Sequence, residues 1–99
     1  MSAKGYVFAA VDVTDQAIYD EYRAQVLPTI AAYGGRFLVR GGAPDKREGT
    51  LAVPRAVILE FPSVERAKSW YDGPEYAPLK ALRMRGAKAE LVILTGIDG

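Results

Sequence analysis

The charged residues Arg36, Arg40 and Glu60 lie within segments of strong strand propensity, where a charge is costly unless it has a partner. Simple alternation along the strand places Arg36 and Arg40 on one face, together with Leu38. If Arg36 pairs with Glu60, Arg40 comes near the start of the neighbouring strand. There Arg40, together with Arg55, is suited to hold a carboxylate through two parallel hydrogen bonds. The structural alternative is an ion pair between Arg36 and Glu60, with Arg40 extending into solvent.

The aromatic side chains are candidates for lining a cleft that takes a small molecule. Trp70, Tyr71 and Tyr76 lie on either side of the helix break Asp72-Gly73-Pro74, and Tyr22 lies on an earlier helix. An apolar cleft with a few phenol donors is the usual composition of a small-molecule site. Most of these rings are expected in the core, and the hydroxyls of Tyr22 and Tyr71 are expected to point into the cleft.

The composition excludes most of the chemistry that small enzymes use. The 99 residues contain no Cys and no His. Thiol nucleophiles, disulfides and thiolate metal sites are therefore excluded, as are the commonest general base and the usual haem ligand. The glycines form no phosphate-binding loop. Any catalysis is left to Tyr, Glu and Arg acting on a substrate that is already reactive, and we expect no metal and no cofactor.

The charge pattern argues against nucleic acid and membrane partners. The chain has 13 basic and 12 acidic residues, a net charge of +1, so no strong field attracts it to polyanions or anionic lipid. Lys80, Arg83, Arg85 and Lys88 are expected to form a solvated helix face. No run approaches the roughly 18 apolar residues that cross a bilayer. Because the start of the chain lacks a signal sequence, we expect a cytoplasmic protein.

Strand and helix patterns alternate along the chain. Runs of β-branched and aromatic residues predict strands over 6–13, 36–40, 55–61 and 89–95. Helical spacing and capping residues predict helices over 15–33, 63–72 and 75–85, with a loop over 43–53. Pro28 is expected to kink or end the first helix. This order predicts one domain over 1–99 with the ferredoxin-like βαββαβ fold, an α+β antiparallel sheet with its helices on one face.

The predicted sheet is apolar on both faces. In the first strand, every position over 6–11 carries an apolar or aromatic side chain, whereas a sheet with one solvated face normally alternates. The helices cover only one face, so the other face needs a partner. A second copy of the chain is the simplest partner, and we expect a homodimer packed sheet on sheet. The alternative is a monomer whose second face stays exposed or is covered by a loop.

Two motifs resemble a known family. They are YGGRFLVRGG over 33–42 and ILEFPSVERAKSWY over 58–71, the second followed by PEY over 74–76. They resemble the domain-of-unknown-function family thirteen-thirty, and the resemblance extends from Gly5 to Gly96. That family belongs to the dimeric α/β-barrel superfamily, so the resemblance implies paired ferredoxin-like sheets with a site between sheet and helices. It also implies a family-typical polar set, formed by Arg40, Glu60, Tyr71 and Tyr76.

Together these features predict a homodimer that binds a small organic molecule, with organic anions among the candidates, in the cleft between sheet and helices. The candidate ligand-binding residues are Arg40, Glu60, Tyr71, Tyr76 and Tyr22. The superfamily supplies an alternative, a cofactor-free monooxygenase or isomerase acting on an aromatic or polyketide-like substrate. In that case a tyrosine or Glu60 moves a proton and Arg40 stabilises an enolate or carboxylate. A second alternative is a non-catalytic structural or regulatory subunit.

Overall fold

The computed structural model describes residues 3–42, 44–50 and 52–97. These residues form four strands and three helices: β1 (Gly5–Val13), α1 (Gln16–Ala32), β2 (Arg36–Gly42), β3 (Ala56–Phe61), α2 (Val64–Asp72), α3 (Ala77–Gly86) and β4 (Ala87–Thr95). The predicted order of elements is confirmed. Two residues of the predicted loop, Ala43 and Leu51, lie outside the described residues, as do the first two and last two residues of the predicted domain.

The four strands form one antiparallel sheet in the order β2-β3-β1-β4. This is the ferredoxin-like order, so the predicted fold class is confirmed. The helices pack on the face that carries Val7, Leu59 and Phe61, each at most 3% exposed. No helix of the described residues is both long and apolar enough to cross a membrane.

A side-chain cap begins each of the first two helices. The side chain of Asp15 accepts a hydrogen bond from the backbone N–H of Ile18 at 3.2 Å, and that of Ser63 accepts one from Arg66 at 3.1 Å. Pro28 does not end the first helix, which continues to Ala32. Val26 and Ile30, on either side of Pro28, are 2% and 1% exposed, so their packing outweighs the N–H that proline lacks.

A β-bulge in β2 changes which face Arg40 lies on. Arg36 pairs with Glu60 and Phe37 with Leu59, as simple alternation requires, but Val39 then pairs with Ile58. Leu38 is therefore an extra residue without its own partner, and the alternation inverts beyond it. The prediction that Arg36 and Arg40 share a face is wrong. Arg40 pairs with Val57 on the helix-covered face, whereas Arg36 remains on the opposite face.

The helices α1 and α3 approach each other closely at Gly86. The backbone N–H groups of Thr14 and Asp15 both donate to the carbonyl oxygen of Gly86, at 2.9 and 3.0 Å. A Cβ atom at this position would lie 2.9 Å from Cγ2 of Ile18 and 3.0 Å from the backbone nitrogen of Tyr19. Only glycine permits this contact without displacement, and the contact sets the spacing of α1 and α3.

The second face of the sheet carries apolar side chains that nothing in the described residues covers. Phe8 pairs with Val92 across β1 and β4, and Tyr6 pairs with Leu94. Val92 and Leu94 are 49% and 51% exposed, and Tyr6 and Phe8 are half-buried. We call this surface the outer face. Its apolar character agrees with the pattern expected from the sequence.

A charged cluster lies at one end of the outer face. Nε of Arg36 donates to one carboxylate oxygen of Glu60 at 2.9 Å, and the Tyr6 hydroxyl donates to the other at 3.1 Å. Nζ of Lys4 lies 3.6 Å from the oxygen that Arg36 contacts. The hydrogen bond from Arg36 lowers the pKa of Glu60 most strongly. Burial opposes this effect, but the hydrogen bond from Tyr6 and the charges of Arg36 and Lys4 also lower the pKa, so the net shift is downward. The carboxylate is thus favoured in its charged form.

We expect Glu60→Gln to reduce stability in a way that depends on pH. The pKa of Glu60 is lower in the folded chain than in the unfolded chain. The charge of Glu60 therefore stabilises the fold at pH values above the pKa of the unfolded state. This stabilisation disappears as the pH falls through the folded-state pKa. In urea denaturation, the variant should be less stable than wild type near pH 7, and the difference in unfolding free energy should shrink toward about pH 3.

The matched control is Glu90→Gln on β4. Glu90 is exposed and takes part in none of the ion pairs of the described residues. Its substitution should change stability little at any pH. If the difference in unfolding free energy between wild type and Glu60→Gln stayed constant from neutral to acidic pH, that result would contradict the stabilising role of the Glu60 charge.

Candidate functional site

A cavity lies between the sheet and the helices. It holds about 40 Å³ of space for the centres of water-sized molecules, which is enough for about three waters. All four strands contribute to it, through Phe37, Val7, Val57, Leu59 and Leu91 among others. Helical side chains form the opposite wall, chiefly Tyr19, Tyr22, Val26, Ile30, Trp70 and Tyr76. The walls are therefore largely apolar and aromatic.

The charged side chains that line this cavity are all arginines. Arg23 comes from α1, Arg40 from β2, Arg55 from the residue before β3, and Arg83 from α3. No Asp or Glu is among the described lining residues. Guanidinium groups stay protonated at any physiological pH, and their field is screened less inside a cavity than in bulk water. The cavity therefore favours a negatively charged occupant.

Arg40 reaches the cavity because of the bulge in β2. Its Nη2 donates to the backbone carbonyl oxygen of Arg23 at 2.7 Å, and its guanidinium lies 4.3 Å from the centre of the Phe37 ring. Arg40 is exposed as well as lining the cavity, so it lies at the opening. Its acceptor is a neutral carbonyl, and no carboxylate of the described residues pairs with it.

Arg55 is held in place by Gly41 and Tyr19. Gly41 has a φ of +78°, and a Cβ atom there would lie 2.7 Å from Nε of Arg55. Glycine thus permits both the left-handed backbone and the close approach of the guanidinium. On its other side, the guanidinium of Arg55 lies 5.4 Å from the centre of the Tyr19 ring. Arg40 and Arg55 therefore both line the cavity, as the anion-site hypothesis requires.

A hydrogen-bonded group of buried polar side chains lies elsewhere in the cavity wall. Nε of Arg83 donates to the hydroxyl oxygen of Tyr76 at 3.2 Å, and the hydroxyls of Tyr76 and Tyr22 lie 3.0 Å apart. The exposed fractions of Arg83, Tyr76 and Tyr22 are 6%, 0% and 9%. We call these three residues the inner polar group.

Burial decides the protonation states of the inner polar group. Burial, and then the neighbouring Tyr76 hydroxyl, raise the pKa of Tyr22 far above its usual range, so Tyr22 stays neutral and keeps its proton. Burial alone would lower the pKa of Arg83, but its interactions with Tyr76, including their hydrogen bond, and with Tyr22 and Tyr71 together raise it. The group therefore consists of one fixed positive charge and hydroxyls that can donate hydrogen bonds.

Trp70 fixes the position of this group. Its ring lies 4.2 Å from the Tyr76 ring and 5.5 Å from the Phe61 ring, measured between centroids. Its indole N–H donates to the hydroxyl of Thr29 at 3.1 Å, which in turn donates to the carbonyl oxygen of Val26 at 2.7 Å. Stacking and hydrogen bonding together leave the ring little freedom.

The residues predicted from the sequence separate into two sets. Arg40, Tyr22 and Tyr76 line the cavity. Tyr71 packs against the Tyr76 ring at 5.8 Å between centroids, with the ammonium of Lys80 over its own ring at 4.0 Å, and it does not line the cavity. Glu60 lies on the outer face in its ion pair with Arg36, so the sheet separates it from the cavity.

Arg83 corrects the prediction of a solvated basic helix face. Arg85 and Lys88 are exposed as expected, but Arg83 is buried. Its position four residues after Leu79 and seven after Tyr76 places it on the apolar side of the helix, and that spacing was the signal that could have identified it. The sequence gives no comparable signal for Arg23, because its only link to a buried residue is that it directly follows Tyr22 in the chain.

We expect Tyr22→Phe to destabilise the chain by about 0.5–1.5 kcal/mol, because it removes one buried hydrogen bond and keeps the ring. Urea denaturation measures the difference. The control is Tyr33→Phe, which removes the hydrogen bond from Tyr33 to Glu75 at 2.6 Å at an exposed position and should have a smaller effect. Equal losses in the two variants would contradict a buried Tyr22–Tyr76 bond.

Several solved structures share the fold, among them the following three. The RPA0582 protein of unknown function from Rhodopseudomonas palustris has a TM-score of 0.77 at 17% identity, over 100% of this chain and 86% of that one. SnoaB, a cofactor-independent oxygenase from Streptomyces nogalater, has a TM-score of 0.63 at 11% identity, over 100% and 97%. A conserved protein of unknown function from Bacteroides thetaiotaomicron, described as a possible oxidoreductase, has a TM-score of 0.57 at 12% identity, over 96% and 99%.

Identities this low establish a shared fold and no shared activity. No match was found among curated proteins. The family comparison is more specific, because residues 4–97 match the model described as Domain of unknown function (DUF1330). The match includes the two motifs on which the resemblance rested, so the expected family is confirmed: the chain belongs to the DUF1330 family.

Proposed function

We propose that this protein binds a small organic anion in the cavity between the sheet and the helices. The observation that carries the proposal is the lining itself, which holds four arginines and no carboxylate among its described residues. A cavity built only for packing gains nothing from so many like charges, because they repel one another. An anionic ligand turns this repulsion into attraction.

A carboxylate is the anion that Arg40 and Arg55 suit best. The planar guanidinium matches a carboxylate with two parallel hydrogen bonds. Arg40 now donates to the neutral carbonyl oxygen of Arg23, and a charged acceptor would form a bond about twice as strong. The apolar and aromatic walls fit the hydrocarbon part of such a ligand. With about 40 Å³ of space, the cavity takes a compact ligand unless Arg40 moves outward.

An oxygenase or isomerase activity is the second candidate. Its support is the shared fold with SnoaB, which is a cofactor-independent oxygenase. A proton acceptor is harder to assign, because Glu60 lies on the outer face and Tyr22 keeps its proton. In such a reaction, the arginines would stabilise an enolate or carboxylate and the substrate would supply the electrons. Binding without turnover would also suit a regulatory subunit.

We further propose that a second copy of the chain covers the outer face. The support is the contiguous apolar surface formed where Tyr6 and Phe8 pair with Leu94 and Val92. Half-exposed aromatic and aliphatic side chains in one patch are typical of an interaction surface. A two-fold contact between two such sheets would remove the patch from water on both chains.

We expect wild type to bind acetate, butyrate or benzoate and to ignore the uncharged amides acetamide, butyramide and benzamide. Replacing Arg40 with Ala should weaken carboxylate binding at least about tenfold, because it removes charge-assisted hydrogen bonds. Isothermal titration calorimetry measures the affinities. The matched control is Arg36→Ala, which removes the same charge from the same strand on the opposite face and should leave the affinity unchanged.

Two results would count against anion binding in the cavity. One is equal weakening by Arg40→Ala and Arg36→Ala, which would indicate a general effect of net charge. The other is the absence of binding for every carboxylate in the series.

We expect Leu94→Glu to convert a dimer into a monomer, since it places a charge within the proposed contact. Light scattering after gel filtration at micromolar concentration measures the mass. Leu27→Glu on α1 is the control, because Leu27 is 48% exposed and Leu94 is 51% exposed, but Leu27 lies on the helical side. A wild-type monomer, or dissociation by both variants, would refute the sheet-to-sheet contact.

A further inference from the structure

Arg83 is a buried charge without a counterion. It is 6% exposed, and it takes part in none of the ion pairs of the described residues. Among those residues its one side-chain hydrogen bond runs from Nε to the hydroxyl oxygen of Tyr76. A buried charge that lacks an opposite charge is strongly unfavourable. Packing alone therefore gives no reason for arginine at this position, where methionine would fill a similar volume.

The remaining donors of Arg83 are available to a ligand. Its two terminal nitrogens have no hydrogen-bond partner among the described residues. No fully buried side-chain nitrogen or oxygen of those residues lacks a partner, so the two nitrogens retain accessible surface. Arg83 lines the cavity, and Tyr22, which keeps its proton, lies in the same wall. A ligand oxygen there would meet several donors and no competing acceptor charge.

Arg83 and Arg40 line the cavity from elements at opposite edges of the sheet. Arg40 is on β2, at one edge of the sheet, whereas α3, which carries Arg83, packs against β4 at the other edge. Three strand spacings of about 4.8 Å separate the two edges, or about 14 Å in all. Arg40 and Arg83 therefore enter the same cavity from different sides.

We propose that the inner polar group, Arg83 with Tyr76 and Tyr22, is a second anchoring point for the ligand, and that the ligand is a short dicarboxylic acid. One carboxylate lies at Arg40 and Arg55, and the other accepts hydrogen bonds from the terminal nitrogens of Arg83. The methylene chain between the two carboxylates lies along the apolar walls. Because the cavity of about 40 Å³ is too small for such a ligand as it stands, Arg40 at the opening moves outward when the ligand binds. This inference rests on the proposed function, because it names the class of anion that the cavity takes.

The test compares ligands of equal length. Isothermal titration calorimetry measures the affinity of the protein for three dicarboxylates and for the monocarboxylates of equal chain length. The matched pairs are succinate with butyrate, glutarate with pentanoate, and adipate with hexanoate. Wild type should bind at least one dicarboxylate about tenfold or more tightly than its monocarboxylate partner, since a second charge-assisted contact forms. Arg83→Met should abolish this preference and retain monocarboxylate binding. Arg40→Ala should weaken both classes.

Stability separates a binding role from a structural one. If the role of Arg83 is to bind the ligand, Arg83→Met removes an unpaired buried charge, and the urea midpoint of the free protein should stay equal or rise. If the role of Arg83 is to stabilise the fold, the urea midpoint should fall. Arg83→Gln, which keeps a donor for Tyr76 without the charge, should also lose the dicarboxylate preference, and it replaces Arg83→Met if that variant does not fold.

The outcomes distinguish this inference from the proposed function. Equal affinity of wild type for each matched pair, or a preference that survives in Arg83→Met or Arg83→Gln, overturns the second anchoring point and leaves carboxylate binding intact. If neither class binds, the proposed function is wrong and the inference fails with it.

Discussion

The three helices meet at Trp70, and the shape of the cavity depends on this contact. Trp70 belongs to α2, and its indole N–H donates to the hydroxyl of Thr29 on α1. Its ring packs against the ring of Tyr76 at the start of α3 and against the ring of Phe61 on β3. The ring is 1% exposed. A side chain of this size, buried on all sides, fixes the height of the helices above the sheet. The residual space beside it becomes the cavity.

This aromatic framework surrounds charges that have no carboxylate partner among the described residues. Four arginines line the cavity, and Arg83 among them is buried without a carboxylate. Such an arrangement reduces stability in the free protein. Proteins tolerate unfavourable contacts of this kind mainly at functional sites. For this reason the position of the arginines is stronger evidence for ligand binding than the presence of the cavity, which any imperfectly packed core could contain.

One strand serves both faces of the sheet because of a single extra residue. Arg36 forms an ion pair with Glu60 on the outer face, and Arg40, four residues later, reaches the cavity on the helical face. Regular alternation would have put both on the outer face. The bulge at Leu38 thus separates an ion pair on the outer face from a charge at the cavity. It also explains why two arginines in one short motif have different surroundings.

The sequence alone determined the order of the elements and the residues that begin the first two helices, since periodicity and capping are local. It offered the ion pair between Arg36 and Glu60 as one of two alternatives, and the pairing of β2 with β3 decided in its favour. Tertiary structure decided the side of the sheet on which Arg40 lies, because a bulge depends on how β2 pairs with β3. It also decided that Arg83 is buried, since the Tyr76 and Tyr22 hydroxyls that surround it come together across 54 residues of chain. The side on which Arg40 lies therefore depends on a contact that no local pattern encodes. For Arg83, the helical spacing with Leu79 and Tyr76 indicated its side of α3, and tertiary structure supplied the Tyr22 hydroxyl beside it.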